Sequence, residues 1–121
     1  MTILLETPVP DTGRLSVRIH ADVQINVSAA EAQHRVTQYV HGKLSSQMHG
    51  EAPTLILGKR VCWRTPIQLT FPALGNAGVV GTIDIDVETG ETQITAAVIE
   101  EIERNAEDLA RCVTSPAARR S

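Results

Sequence analysis

The chain has 121 residues, 42% of them hydrophobic, and a net charge of −3. That is about one domain of sequence, long enough to bury a core without disulfide staples and too apolar for disorder throughout. Only Tyr39, Trp63 and Phe71 are aromatic, so the core must be aliphatic, and the composition argues against an aromatic stacking platform for single-stranded nucleic acid.

Residues 1–13 contain Pro8, Pro10 and Gly13, show little pattern and read as a loose leader. The apolar run at Met1 to Leu5 lacks a basic start and is too short for a signal segment. No stretch approaches the ~20 apolar residues of a membrane span. A cytoplasmic location, no membrane partner and two reduced thiols, Cys62 and Cys112, are therefore expected.

From Leu15 the signal sharpens. Leu15, Val17, Ile19, Ala21, Val23, Ile25 and Val27 alternate with Ser16, Arg18, His20, Asp22, Gln24 and Asn26. This period of two predicts a strand with one buried and one wet face. Ser28-x-x-Glu31 then reads as a capping box that opens a helix. Ala29, Ala32, Val36, Tyr39, Val40, Leu44 and Met48 follow at helical spacing, with His34, Gln38, His41 and Ser45 opposite. The helix is expected to run to about Met48, before Gly50 and Pro53.

Short strands come next. Thr54 to Leu57 is one, and Gly58-Lys59-Arg60 turns the chain. Val61, Trp63, Ile67, Leu69 and Phe71 share one parity, with Cys62, Arg64, Gln68 and Thr70 on the other. Pro66 removes a donor from this strand and belongs at an edge or bulge. Residues 72–78 read as a loop, 79–87 as a strand, 88–91 as a turn built on Gly90, and 92–95 as a short strand pairing back. The last element is a helix over 96–113, with Val98, Ile99, Ile102, Ala106, Leu109, Ala110 and Val113 on one stripe. It holds five acidic residues against two basic ones, so the excess acid of the chain belongs to this helix and no basic footprint for nucleic acid is present.

The expected fold class is α+β, in the order β-α-β-β-β-(β)-α. It is a curled antiparallel sheet with two helices packed on one face. The domain spans 14–113, and 114–121 is a frayed tail.

No catalytic, cofactor or metal set is legible. His34 and His41 lie seven apart on a wet helix face, where zinc pairs on helices use i,i+4. Asp84, Asp86 and Glu88 resemble the start of a calcium loop but lack its glycine and closing glutamate. Gly75-x-x-Gly78-x-x-Gly81 precedes a strand, where a phosphate loop precedes a helix, so it reads as a loop plus a strand glycine permitting close backbone approach. Cys62 has no neighbour in sequence that would activate it. Lys59, Arg60 and Arg64 form a basic cluster suited to an acidic partner, and His34, Gln38 and His41 form a polar helix surface; these six are the candidate partner-binding residues.

Trp63-Arg64-x-Pro66, followed by Gly78-x-x-Gly81-x-Ile83-x-Ile85-Asp86-x-x-Thr89-Gly90-Glu91, ends in a hairpin similar to the closing hairpin of PepSY-type domains, which act as binding or inhibitory modules. PepSY-type proteins are commonly exported or membrane-attached, and no such signal is visible here. The whole arrangement, from the alternating first strand to the acidic helix, resembles small bacterial proteins encoded beside PIN-type ribonuclease toxins. That resemblance implies an antitoxin-like, non-enzymatic module with a protein partner and transfers no catalytic residue. The alternative is a small-molecule-binding or enzymatic α+β domain with a pocket between sheet and helices. Self-association or partner binding through a sheet edge or an uncovered face is expected.

Overall fold

In the computed structural model the described residues are 2–5, 12–16, 18, 20 and 22–114. They form β1 (Thr2–Leu5), α1 (Ala29–Lys43), β2 (Met48–Gly50), β3 (Thr54–Leu57), β4 (Val61–Phe71), β5 (Gly75–Asp86), β6 (Thr92–Gln93) and α2 (Ala96–Thr114). The class is α+β, as expected, with an open mixed sheet of order β1-β3-β4-β5-β6 and β2 paired to β4. All pairings are antiparallel except that of β1 with β3. Residues 2–5, read as part of a loose leader, are thus a parallel edge strand.

β2 and β3 are one strand with an interruption. Gly50 pairs with Ile67 and Thr54 with Arg64, so residues 51–53 face only Thr65 and Pro66. This places the Pro66 defect. Its carbonyl accepts from Glu51 N at 2.8 Å, so its missing donor points at the same interrupted stretch. Pro66 therefore sits at a bulge in a central strand, where no ladder bond is lost.

The parity of β4 and β5 sorts the two faces. Trp63, Ile67, Leu69, Ile83 and Ile85 join Ala32, Val36 and Val40 of α1 and Ile102 of α2 in one buried cluster. Both helices therefore cover the same face. The two register shifts in β5 leave Val80 and Ala77 without a partner on β4. Each bulge turns two successive residues inward, Ala77-Gly78 and Val80-Gly81. A Cβ on Gly78 would lie 3.3 Å from Leu109, and one on Gly81 only 2.6 Å from Ile102. Three strand residues span about 10 Å, as do seven helix residues, so Ile102 and Leu109 drop into consecutive gaps. Asn105 Nδ2, between them, donates to Val80 O at 2.8 Å. The strand glycine, Gly81, makes the close approach read for it; Gly78, read as loop, makes another, inside a strand that begins at Gly75 rather than Val79.

Two further sequence expectations fail. The described residues between Leu15 and Val27 belong to no strand; Val17, Ile19 and Ala21 lie outside the described residues. Ile25 is 43% exposed and Leu15 55%, while Val27 is buried. Alternation shows only that a segment suits an extended backbone. A strand also needs a partner edge, and β1 takes that of β3 while β6 takes that of β5 at Asp84 and Ile85. The segment is instead tied at its end: Val87 O accepts from Asn26 N at 2.8 Å and Val27 N at 3.2 Å, and Trp63 Nε1 donates to Val27 O at 2.7 Å. The second failure is the end of α1, which stops at Lys43 with Leu44 as its cap. Met48 is buried in β2, because Gly50 N donates to Thr37 Oγ1 at 2.9 Å and Gln33 Nε2 to Gly50 O at 3.0 Å, holding that strand under the helix. The start of α1 is as read and half of the capping box forms: Ser28 Oγ accepts from Glu31 N at 3.1 Å, while Glu31 Oε2 lies 3.8 Å from Arg35 Nη2.

Candidate functional site

The face of the sheet opposite the helices carries the other parity of each strand. Cys62 pairs with Asp86, Arg64 with Asp84, and Asp84 also with Gln93. A groove of about 430 Å³ crosses it, lined by Lys59, Arg60, Cys62, Arg64, Asp84 and Gln93. Three basic side chains and one acidic side chain thus meet in a chain that is acidic overall.

Arg64 is held by the strand register. Its Nε and Nη2 each donate to one oxygen of Asp84 at 3.0 Å, a two-pronged pair across β4 and β5. Both side chains are less than a third exposed. Such a fork fixes the guanidinium plane as well as its charge. Lys59 and Arg60 are exposed in the β3–β4 turn and have no ion-pair partner among the described residues.

A second groove of about 380 Å³ adjoins at the end of the sheet and shares Lys59 and Arg60. Its other walls include His20, Asp22 and Val23 from the tied segment, and Asp86 and Glu88 from the β5–β6 turn. Asp86 is committed to that turn. Its Oδ1 accepts from Glu88 N at 2.8 Å and Thr89 N at 3.0 Å, and Gly90 follows at φ +76°. The amides of Thr89 and Glu88, with Arg60 nearby, hold the Asp86 carboxyl below its ordinary value. The three carboxylates that resemble a calcium loop are therefore divided: Asp84 holds Arg64, and Asp86 builds the turn in which Glu88 lies.

Of the six candidate residues, the structure brings Lys59, Arg60 and Arg64 together and separates them from the other three. His34, Gln38 and His41 are exposed on α1, whose buried side is Ala32, Val36 and Val40. Because α1 lies on the opposite face of the sheet, these are two distinct surfaces. His41 borders a different, wider groove with His49, Thr70 and Asn76. There His49 Nε2 lies 3.1 Å from Glu51 Oε1.

Sequence reading missed Asp84 and Gln93 as members of the basic site. The parity that put Arg64 and Asp84 outward was visible, but the register that places them side by side was not. The space between sheet and helices is filled by the apolar cluster. Among the described residues no group of three or more His, Cys, Asp or Glu side chains is placed to hold a metal ion, and no helix is long and apolar enough to cross a membrane. No family model matches the chain, and no curated protein or solved structure matches it either.

Proposed function

We propose that this chain is a non-enzymatic protein-interaction module whose docking surface is the helix-free face of the sheet. One observation carries the reading. Both helices pack on the same side, so the other side keeps a groove that joins β4, β5 and β6 and is lined by Lys59, Arg60 and Arg64. Val79 lies on the same face, further along β5, and is 55% exposed. The likeness to proteins encoded beside PIN-type ribonucleases makes such a nuclease the candidate partner, with this chain in the antitoxin-like role.

The test is co-expression of the tagged chain with the product of the adjacent gene, followed by co-purification and an RNA-cleavage assay. A stoichiometric complex with suppressed cleavage is expected. Val79→Arg and Thr82→Arg together, on the helix-free face, should break the complex, while His34→Ala, Gln38→Ala and His41→Ala together should leave it intact. Failure of the two products to associate at micromolar concentration would remove the antitoxin-like reading. Loss of the complex only in the α1 variant would move the docking surface to the other side of the molecule.

A further inference from the structure

The two adjoining grooves differ in sign. The one on the helix-free face is lined by Lys59, Arg60 and Arg64 against Asp84 alone. The one at the end of the sheet keeps Lys59 and Arg60 but adds Asp22, Asp86 and Glu88. Because the two share the β3–β4 turn, they form one continuous track with positive charge at its centre and on the sheet, and negative charge towards the tied segment. From this we infer that the track receives an extended peptide segment of the partner, with one or two carboxylates over Lys59 and Arg60 followed by a basic residue over Asp22 and Glu88. This rests on the docking reading given above and names the chemistry of its occupant.

The charge pattern selects a peptide over nucleic acid. A nucleic-acid strand carries a negative charge at every phosphate, so one following this track would meet Asp22, Asp86 and Glu88 as soon as it left Lys59 and Arg60. A peptide changes sign from residue to residue and can match both halves. The site is also prepared on both sides. Asp84 fixes the Arg64 guanidinium through two bonds of 3.0 Å. Asp86 is fixed by two turn amides, at 2.8 and 3.0 Å, so its charge is set in place before any ligand arrives. Arg60 is close enough to Asp86 to help stabilise that carboxylate, which ties the two halves at their junction. Complementary charges at such a surface set orientation and encounter rate more than raw affinity.

The measurement is a titration of the ¹⁵N-labelled protein by two-dimensional NMR, which detects millimolar binding. The probes are an octapeptide containing Glu-Glu followed by Lys-Lys, its all-glutamate counterpart, and a single-stranded RNA octamer. The mixed-charge peptide should shift the amides of Gly58–Arg64 and Asp84–Glu88. It should bind more tightly than either other probe and weaken about tenfold or more in Lys59→Glu/Arg60→Glu, a change of about 1.4 kcal/mol. Both substitutions lie in an exposed turn, and the variant's own spectrum reports whether the fold is intact. Absence of shifts, shifts confined to α1, or equal binding of the RNA would overturn the inference. The docking reading is judged separately: if the Lys59→Glu/Arg60→Glu protein still captures the adjacent gene's product, the module reading stands and the charged track is not its contact.

Discussion

Replacing Gly81 by alanine adds a single methyl group, and the structure says where it goes. The new Cβ would sit 2.6 Å from Ile102 Cγ1 and 3.5 Å from its Cδ1, in a core where Ile102 is 1% exposed. Contacts under 3 Å to a buried branched side chain force either the helix or the strand to move. Overpacking of this kind costs about 1–3 kcal/mol. Alanine recovers roughly 0.5–1 kcal/mol of backbone entropy that glycine loses in a strand, so the net destabilisation should be on the order of 1 kcal/mol. The control is Gly42→Ala in α1, where nothing lies within 4 Å of the added methyl. There the same substitution should stabilise by up to about 1 kcal/mol. Urea denaturation followed by far-UV circular dichroism reads both, with a shifted midpoint at constant slope. A double-mutant cycle isolates the contact: in an Ile102→Ala background, itself costing about 2–5 kcal/mol, Gly81→Ala should become neutral or favourable. An equal penalty in both backgrounds would show that Ile102 is not what Gly81 accommodates, and the pairing of bulge glycines with α2 would have to be abandoned.

Three further outcomes follow from single residues. Thr65 is fully buried and its Oγ1 has no hydrogen-bond partner among the described residues, so Thr65→Val should raise stability by about 1 kcal/mol; a loss of stability in the same urea assay would mean that the hydroxyl is satisfied in solution. Ile25→Asp, which the alternating pattern alone marks as an unfolding change, should stay within about 0.5 kcal/mol of the parent because Ile25 is 43% exposed; an unfolded product would restore the strand reading. Asp86 has a carboxyl pKa lowered by the turn amides, so its contribution is present above the unfolded-state value near 3.8 and is lost as pH falls through the lower folded value. Asp86→Asn should therefore reduce stability at neutral pH and flatten the acid limb of the stability curve, and an unchanged limb in urea melts between about pH 6 and 2.5 would rule the turn out as its source.

What the sequence determined by itself was local. Ser28 caps α1 through the amide three residues on, and Asp86 and Gly90 close their own turn. These features need no distant partner, so their residues suffice to specify them. The parity of Val61 to Phe71 likewise gave the face of Trp63 and Arg64, because strand side chains alternate wherever the strand lies. The tertiary structure decided everything that depends on which backbone edge is open. It left the described residues of the best alternating segment, Leu15 to Val27, outside the sheet, tied to Val87 O through the amides of Asn26 and Val27. It ended α1 early because Met48 to Gly50 could pair with β4 beneath Thr37 and Gln33. It drew Gly75 to Gly78 into β5 through two bulges that exist to meet α2. The candidate site followed the same division. The basic character of Lys59, Arg60 and Arg64 was legible, whereas the fork from Asp84 and the separation from His34, Gln38 and His41 came only with register and layer order. Local rules act over a few residues, but an edge is claimed by whichever distant segment pairs with it most favourably, and that competition is settled only in the assembled fold.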